Sequence, residues 1–171
     1  MTDSRWRLAA VTGVVVLVVD QITKTIVQHT IALHRSIELA PIATLTFVWN
    51  TGMAFGLLAG APSARRTLMF LGASALAFAA IVLLIRDARP EQRALVAALG
   101  GVLGGAVGNV VCRLRFGAVV DFIDLHVGDL HWPAFNVADA AISVGGVLVL
   151  LNWLADAWRD HRRRSEVVAD R

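Results

Sequence analysis

The sequence has 171 residues, of which 57% are hydrophobic and only 17% are charged, and its mean hydropathy is +0.66. A soluble domain is about half apolar and about a quarter charged. Here the apolar residues fall in long blocks, which is typical of a membrane protein. The formal charge is +3, but the arginines flank the apolar blocks in short clusters, so we predict no nucleic-acid partner. The single cysteine, Cys112, excludes an intrachain disulfide.

Four apolar runs are long enough to cross a bilayer, which takes roughly 20 residues. They cover about residues 6–27, 67–85, 94–111 and 138–154. No small-residue cleavage site follows the first run, so we interpret it as an uncleaved span. Arginines cluster before the first run, between the second and third, and after the fourth. The positive-inside rule therefore predicts that both termini are cytoplasmic. The cytoplasmic tail covers about residues 156–171, and we expect it to end in disorder.

The segment at about 28–66 is predicted to lie on the extracytoplasmic side. Leu45, Phe47 and Trp49 place a large apolar side chain at every second position, which predicts a half-buried strand. Residues 37–39 are a candidate partner strand, and residues 119–127 are rich in β-branched residues and could pair with the same unit. The sequence thus predicts an all-α membrane protein of one domain, with four transmembrane helices and a small extracytoplasmic β-sheet.

Polar side chains converge near the predicted extracytoplasmic ends of the spans. With a helix rise of 1.5 Å per residue, Asp20 lies about 20 Å and Asn109 about 22 Å from the cytoplasmic ends of their spans. A similar height is predicted for four further ionisable residues, namely Lys24, Arg113, Asp121 and Asp139. Ionisable groups at a membrane boundary are costly and usually mark a functional site.

Asp121 and Asp139 are the strongest candidates for chemistry. Two close carboxylates in a poorly solvated place cannot easily both ionise, so one of them holds a proton near neutral pH. Such a pair supplies the base and the acid that an aspartic peptidase needs. The alternative is that the two carboxylates are solvated or cap helix ends, as Asp139 could do at the start of the fourth span.

Five motifs in order resemble the lipoprotein signal peptidase family, the bacterial signal peptidase II. They are DQITK at 20–24, NTGMAF at 50–55, GGAVGN at 104–109 followed by Arg113, VVDF at 119–122 and FNVAD at 135–139. The resemblance covers roughly residues 6–155. It implies an intramembrane aspartic endopeptidase of the bacterial inner membrane that needs no cofactor. The implied substrates are prolipoproteins that carry diacylglycerol on the cysteine that becomes the new N-terminus.

The resemblance also implies roles for individual residues. Asp121 and Asp139 match the catalytic aspartates of the family, and cyclic peptide antibiotics of the globomycin type are expected to bind beside them. Polar positions that line the family's substrate site are matched by Asn50, Asn109, Arg113 and Asn136. The first-span motif is matched by Asp20 and Lys24, for which an i, i+4 ion pair that supports the bundle is the favoured role. Glycines 101, 104, 105 and 108 are expected to permit close helix approach.

One position departs from the family pattern, because Cys112 stands where an aspartate usually precedes the arginine. Arg113 therefore needs another partner, and Asp20 and Asp124 are candidates. We also see no cluster of His, Cys and carboxylate with metal-ligand spacing, so we predict no metal site. Two alternatives stay open: a small proton-coupled transporter with its acids on a proton path, and an inactive relative that binds lipoproteins without cutting them.

Overall fold

Among the residues that the structure describes, four long helices carry the apolar runs of the sequence, as predicted. The computed structural model of the protein describes residues 4–52 and 64–169, so the apolar stretch at 53–58 lies outside the described residues. Each helix is long and apolar enough to cross a membrane. The four helices are α1 (Ser4–Thr30), α2 (Ala64–Asp87), α3 (Arg93–Phe116) and α4 (Val137–Ala169).

All four helices are longer than their predicted apolar runs, and α3 and α4 extend furthest beyond the predicted ends. α3 continues to Phe116 and ends at Gly117, whose φ of 70° lies in the left-handed region that glycine adopts without strain. α4 continues without a break to Ala169, so most of the tail that was expected to end in disorder is helical. Hydropathy marks the part of a helix inside the bilayer, and it does not register polar turns that extend beyond it.

In the described part of the chain, four antiparallel strands follow the helix ends on one side of the bundle. They are β1 (Ser36–Ala40), β2 (Ala43–Asn50), β3 (Val119–Val127) and β4 (Leu130–His131), in that spatial order. The predicted strands at 37–39, 44–49 and 119–127 are confirmed, and β4 was not predicted. Trp49 on β2 pairs with Val120 on β3, which sets the register that brings Asn50 beside the start of β3.

Small residues let the helices approach closely, as the sequence predicts. A side chain at Gly104 on α3 would collide with the backbone carbonyl of Gly13 on α1. A Cβ atom at Gly105 would lie 2.6 Å from the carbonyl oxygen of Ala138, at the start of α4. Glycine at these two positions therefore brings α1, α3 and α4 together where the polar residues lie. Gly101 has no such constraint, because a Cβ there would make only an ordinary contact.

The two ends of the bundle have different chemistry. At one end, Arg5 donates a 2.6 Å hydrogen bond to the carbonyl oxygen of Ala88, and Arg89 pairs with Asp156 at 2.6 Å. The basic clusters of α1, of the α2–α3 loop and of α4 thus meet there. At the other end, a buried apolar cluster joins the end of α1 to the sheet through Val27, Ile31, Phe47, Val120 and Phe122. The sheet and the polar site share this second end.

Candidate active site

Asp121 is a buried carboxylate on β3, with a relative exposure of 2%. Its Oδ2 accepts a 2.8 Å hydrogen bond from the side-chain amide of Asn50, and its Oδ1 accepts one of 2.6 Å from Asn136. Burial and the charge of Asp139 together raise the pKa of Asp121 to about 7, although these two amide donors act in the opposite direction. At neutral pH this carboxyl is therefore poised between its protonated and ionised forms.

Asp139 lies in the first turn of α4, on the other side of Asn136. Its Oδ1 accepts a 2.8 Å hydrogen bond from the side-chain amide of Asn109, and its Oδ2 accepts one of 3.2 Å from the backbone N–H of Asn136. In return, the backbone N–H of Asp139 donates to Asn136 Oδ1 at 3.0 Å. This reciprocal pair is a capping box, so Asp139 does cap a helix end, and it faces the site at the same time.

Asn136 connects the two carboxylates. Its amide oxygen caps α4, while its amide nitrogen points to Asp121 and also lies 3.3 Å from the carbonyl oxygen of Val120. The side chain is fully buried, so each of these polar atoms has to be satisfied within the protein. One residue therefore fixes both the start of α4, which carries Asp139, and the orientation of the Asp121 carboxyl.

A buried ion pair on α1 contacts the residues that position Asp139. Lys24 donates to Asp20 Oδ2 at 2.9 Å and to Asn109 Oδ1 at 2.8 Å, and both charged residues are at most 1% exposed. Asp20 Oδ1 in turn accepts a 2.9 Å hydrogen bond from the backbone N–H of Ala138. Because an ammonium group can only donate, Lys24 requires the carbonyl oxygen of Asn109. The amide nitrogen of Asn109 is then directed at Asp139.

Arg113 lies at the edge of the site and has partners that differ from those expected. Its guanidinium donates to the carbonyl oxygen of Gly52 at 3.3 Å and lies 4.4 Å from the centre of the Phe70 ring. The suggestion that Asp20 or Asp124 replaces the family's usual aspartate is wrong. Asp20 is occupied by Lys24, and Asp124 by His131 at 3.0 Å. Cys112 is buried at 2% exposure.

A cavity of about 710 Å³ opens beside the two carboxylates. Asp121 and Asp139 both line it, together with Asn50, Asn109 and Arg113. The rest of its wall is largely apolar and includes Val48, Trp49, Leu125, Trp132, Phe135 and Ile142. The cavity therefore offers acid–base groups and amide donors at one place and an apolar surface around them, which suits a ligand with both a peptide backbone and hydrocarbon chains.

The eight residues named from the sequence meet at this end of the bundle. Seven of them belong to one hydrogen-bonded network, and Arg113 joins it through the carbonyl oxygen of Asn109 at 3.5 Å. Sequence reasoning missed Gln21, whose amide donates to Asp20 and to the carbonyl oxygen of Gly108. It also missed the backbone N–H of Ala138, which no side-chain pattern could reveal.

The expectation that no metal-ligand cluster exists does not hold for the sheet. Asp124, His126 and His131 each offer a ligand atom, and these atoms lie within 4.8 Å of one another. The spacing in sequence concealed this arrangement, because the β3–β4 turn pairs His126 with His131 directly across the hairpin. This cluster is separate from the network that holds Asp121 and Asp139.

Comparison with known proteins identifies the family. A family model described as signal peptidase (SPase) II matches residues 12–155. The lipoprotein signal peptidase of Geobacter metallireducens is 39% identical over 162 residues, covering 94% of this chain and 96% of that protein. That of Syntrophotalea carbinolica is 40% identical over 155 residues, covering 90% of this chain and 95% of that protein.

Solved structures agree with this assignment. A bacterial membrane enzyme determined in meso at 2.3 Å has a TM-score of 0.78 at 29% identity, covering 87% of this chain and 88% of that one. A second, at 1.9 Å, has a TM-score of 0.75 at 29% identity, covering 86% of this chain and 93% of that one. The fold is therefore that of known membrane enzymes. Since the matched residues span most of the sequence and contain the entire polar network, the chain belongs to the signal peptidase II family.

Proposed function

We propose that this protein is an aspartic endopeptidase that removes signal peptides from diacylglyceryl-modified prolipoproteins, cutting just before the lipidated cysteine. Membership of the family supports cleavage of prolipoprotein signal peptides, and a peptidase is favoured over the transporter alternative for the same reason. The observation that carries the aspartic chemistry is the shared position of Asp121 and Asp139 on one cavity, each held by amide donors.

The reaction follows from one proton shared by two carboxylates. With the pKa of Asp121 raised to about 7, the pair presents one protonated and one ionised carboxyl near neutral pH. The ionised group takes a proton from a water molecule, whose oxygen attacks the carbonyl carbon of the scissile peptide bond. The protonated group then gives its proton to the leaving nitrogen. We assign the roles of base and acid to the pair and not to either residue alone.

Peptide cleavage in a bilayer also requires the substrate backbone to be unwound and its polar groups to be satisfied. Arg113 and the amides of Asn50 and Asn109 line the cavity and offer donors for substrate carbonyl groups. The apolar wall, which includes Trp132, Phe135 and Ile142, fits the acyl chains of a lipidated substrate. A globomycin-type cyclic peptide, with a backbone and a hydrocarbon tail, would occupy the same cavity.

Charge distribution supports the proposed orientation in the bacterial inner membrane. The arginine clusters around Arg5 and Arg89 meet at the end of the bundle opposite the site. By the positive-inside rule that end faces the cytoplasm, with both termini. The dyad then lies near the extracytoplasmic face, where the cleavage site of a lipid-anchored precursor is held by its acyl chains.

Cleavage of a defined substrate tests this function. Purified protein in detergent is mixed with a diacylated prolipoprotein, and with the same precursor in which serine replaces the lipid-bearing cysteine. We expect a gel shift only for the lipidated precursor, with mass spectrometry placing the new N-terminus at the lipidated cysteine. Binding of the lipidated precursor without any cleavage would instead establish the inactive relative. Equal cleavage of both precursors would refute the proposed lipid specificity.

A further inference from the structure

The β3–β4 hairpin carries a group of side chains that the peptidase site does not use. Asp124 and His126 lie two residues apart on β3 and therefore project to the same face of the strand. His131 on β4 is the cross-strand partner of His126, and the two imidazole rings stack with their centres 4.9 Å apart. One carboxylate oxygen and two imidazole nitrogens are thus gathered on one face of a two-stranded hairpin.

The contacts within this group leave one polar atom unsatisfied. His131 Nδ1 lies 3.0 Å from both carboxylate oxygens of Asp124. The Nδ1 atom of His126 is buried, and among the described residues it is the only buried side-chain nitrogen or oxygen without a hydrogen-bond partner. An unpaired buried polar atom costs free energy unless a ligand or water satisfies it. The side chain of His131 is 54% exposed, so the group is open to solvent on that side.

We propose that Asp124, His126 and His131 form a binding site for a divalent transition-metal ion of the Zn²⁺ type. Two histidines and one carboxylate are a common ligand set for zinc with an open fourth position. The candidate ligand atoms lie within 4.8 Å of one another. Mg²⁺ and Ca²⁺ prefer oxygen ligands, so this mixed set discriminates against them.

Metal binding here would stabilise the rim of the cavity. Leu125 and Trp132 each line the cavity and are each adjacent in sequence to a candidate ligand. The backbone N–H of Trp132 donates a 2.7 Å hydrogen bond to the backbone carbonyl oxygen of Leu125. An ion that bridges β3 to β4 would hold this pair in place. The competing explanation is a plain ion pair between Asp124 and protonated His131, which requires no metal.

A titration with the full-length chain separates these explanations. The protein, purified in detergent without a histidine tag and treated with chelator, is titrated with ZnCl₂ alone by calorimetry, with MgCl₂ as the comparison ion. We expect one equivalent of Zn²⁺ to bind and Mg²⁺ not to compete. His131→Ala and Asp124→Asn should each weaken Zn²⁺ binding at least about tenfold, since losing even a residue that only orients a ligand costs about 10–100-fold.

Matched controls make the result specific to the hairpin. His29→Ala removes an exposed histidine of α1 that lies outside this group, and it should leave Zn²⁺ affinity unchanged. The absence of stoichiometric Zn²⁺ binding would overturn the proposal in favour of the ion pair. Unchanged affinity in both His131→Ala and Asp124→Asn would overturn it as well. The readout is binding, so the outcome does not depend on whether the chain cleaves prolipoproteins.

Discussion

Asn136 donates a 2.6 Å hydrogen bond to Asp121 while its own amide oxygen caps the helix that carries Asp139. One side chain therefore couples the geometry of the two carboxylates, and two substitutions can separate its two tasks. Serine is as good a helix N-cap as asparagine, whereas alanine is not. Serine in this capping position lacks the amide donor that serves Asp121.

We predict that Asn136→Ser lowers the cleavage rate and costs less thermal stability than Asn136→Ala. Asn136→Ala should lower the rate to a similar extent and should lose about 1 kcal/mol more stability than Asn136→Ser, because the cap is also removed. The measurements are initial cleavage rates and thermal unfolding midpoints in detergent. A wild-type rate for Asn136→Ser would show that the hydrogen bond to Asp121 is dispensable.

Substitutions in the buried Lys24–Asp20 pair should change the stability and the cleavage rate of the protein separately. Lys24→Met leaves Asp20 as a buried carboxylate without its cation, which should cost about 3–5 kcal/mol of stability. It also removes the donor that orients Asn109, so the rate should fall. Adding Asp20→Asn should restore much of the thermal stability, while the rate should stay low because the hydrogen bond from Lys24 to Asn109 Oδ1 is still absent. Recovery of the full rate in this double variant would contradict the orienting role of Lys24.

The pH dependence of cleavage follows from the raised pKa of Asp121. Below about pH 7 this carboxyl is protonated, and above it the proton shared by the pair is lost, so the rate should fall as the pH rises through about 7. The amide of Asn50 favours the ionised form through its 2.8 Å hydrogen bond. Asn50→Asp removes that donor and adds a negative charge, so it should move the alkaline limb of the rate profile to higher pH.

A control for this shift is Glu38→Gln, which changes an exposed charge on β1 of the same sheet. Glu38→Gln should leave the pH profile of the cleavage rate unchanged. A downward shift for Asn50→Asp, or no shift at all, would show that Asn50 does not act on Asp121.

Arg113 is predicted to serve substrate binding at the edge of the cavity. A hydrogen bond to a charged group contributes about 1.5–3 kcal/mol, so Arg113→Ala should lower kcat/KM about 10–100-fold. Arg113→Lys should recover only part of this loss, because an ammonium group lacks the planar shape that lies over Phe70. Arg115→Ala, which removes a neighbouring exposed arginine on α3, is the matched control. Steady-state kinetics that give Arg113→Ala a normal kcat/KM would rule out this role.

Much of this arrangement is readable from the sequence for definite reasons. Hydropathy locates the four helices, alternation locates β2, and helix rise places Asp20 and Asn109 at the same height. Depth alone could not specify which atoms meet. The pairing of Lys24 with Asn109, and the direction in which the Asn109 amide points, depend on side-chain rotamers within a packed interface.

The misjudged features share another cause. The partners of Arg113 and the Asp124, His126 and His131 cluster depend on contacts between distant segments or across a turn. Gly52 lies 61 positions before Arg113, so no local pattern connects them. His126 and His131 are joined by a hairpin that was not predicted, because β4 has only two residues. Short strands carry too little periodicity to be recognised.

The most direct test of the account replaces each carboxylate by its amide. Asp121→Asn and Asp139→Asn preserve shape but remove the group that exchanges a proton, and Asp129→Asn makes the same change on the exposed β3–β4 turn. The measurement is cleavage of a diacylated prolipoprotein by equal amounts of each folded variant in detergent. We predict wild-type cleavage for Asp129→Asn and none for Asp121→Asn or Asp139→Asn. Substantial turnover by either of the last two variants would contradict the assignment of the two aspartates as the catalytic pair.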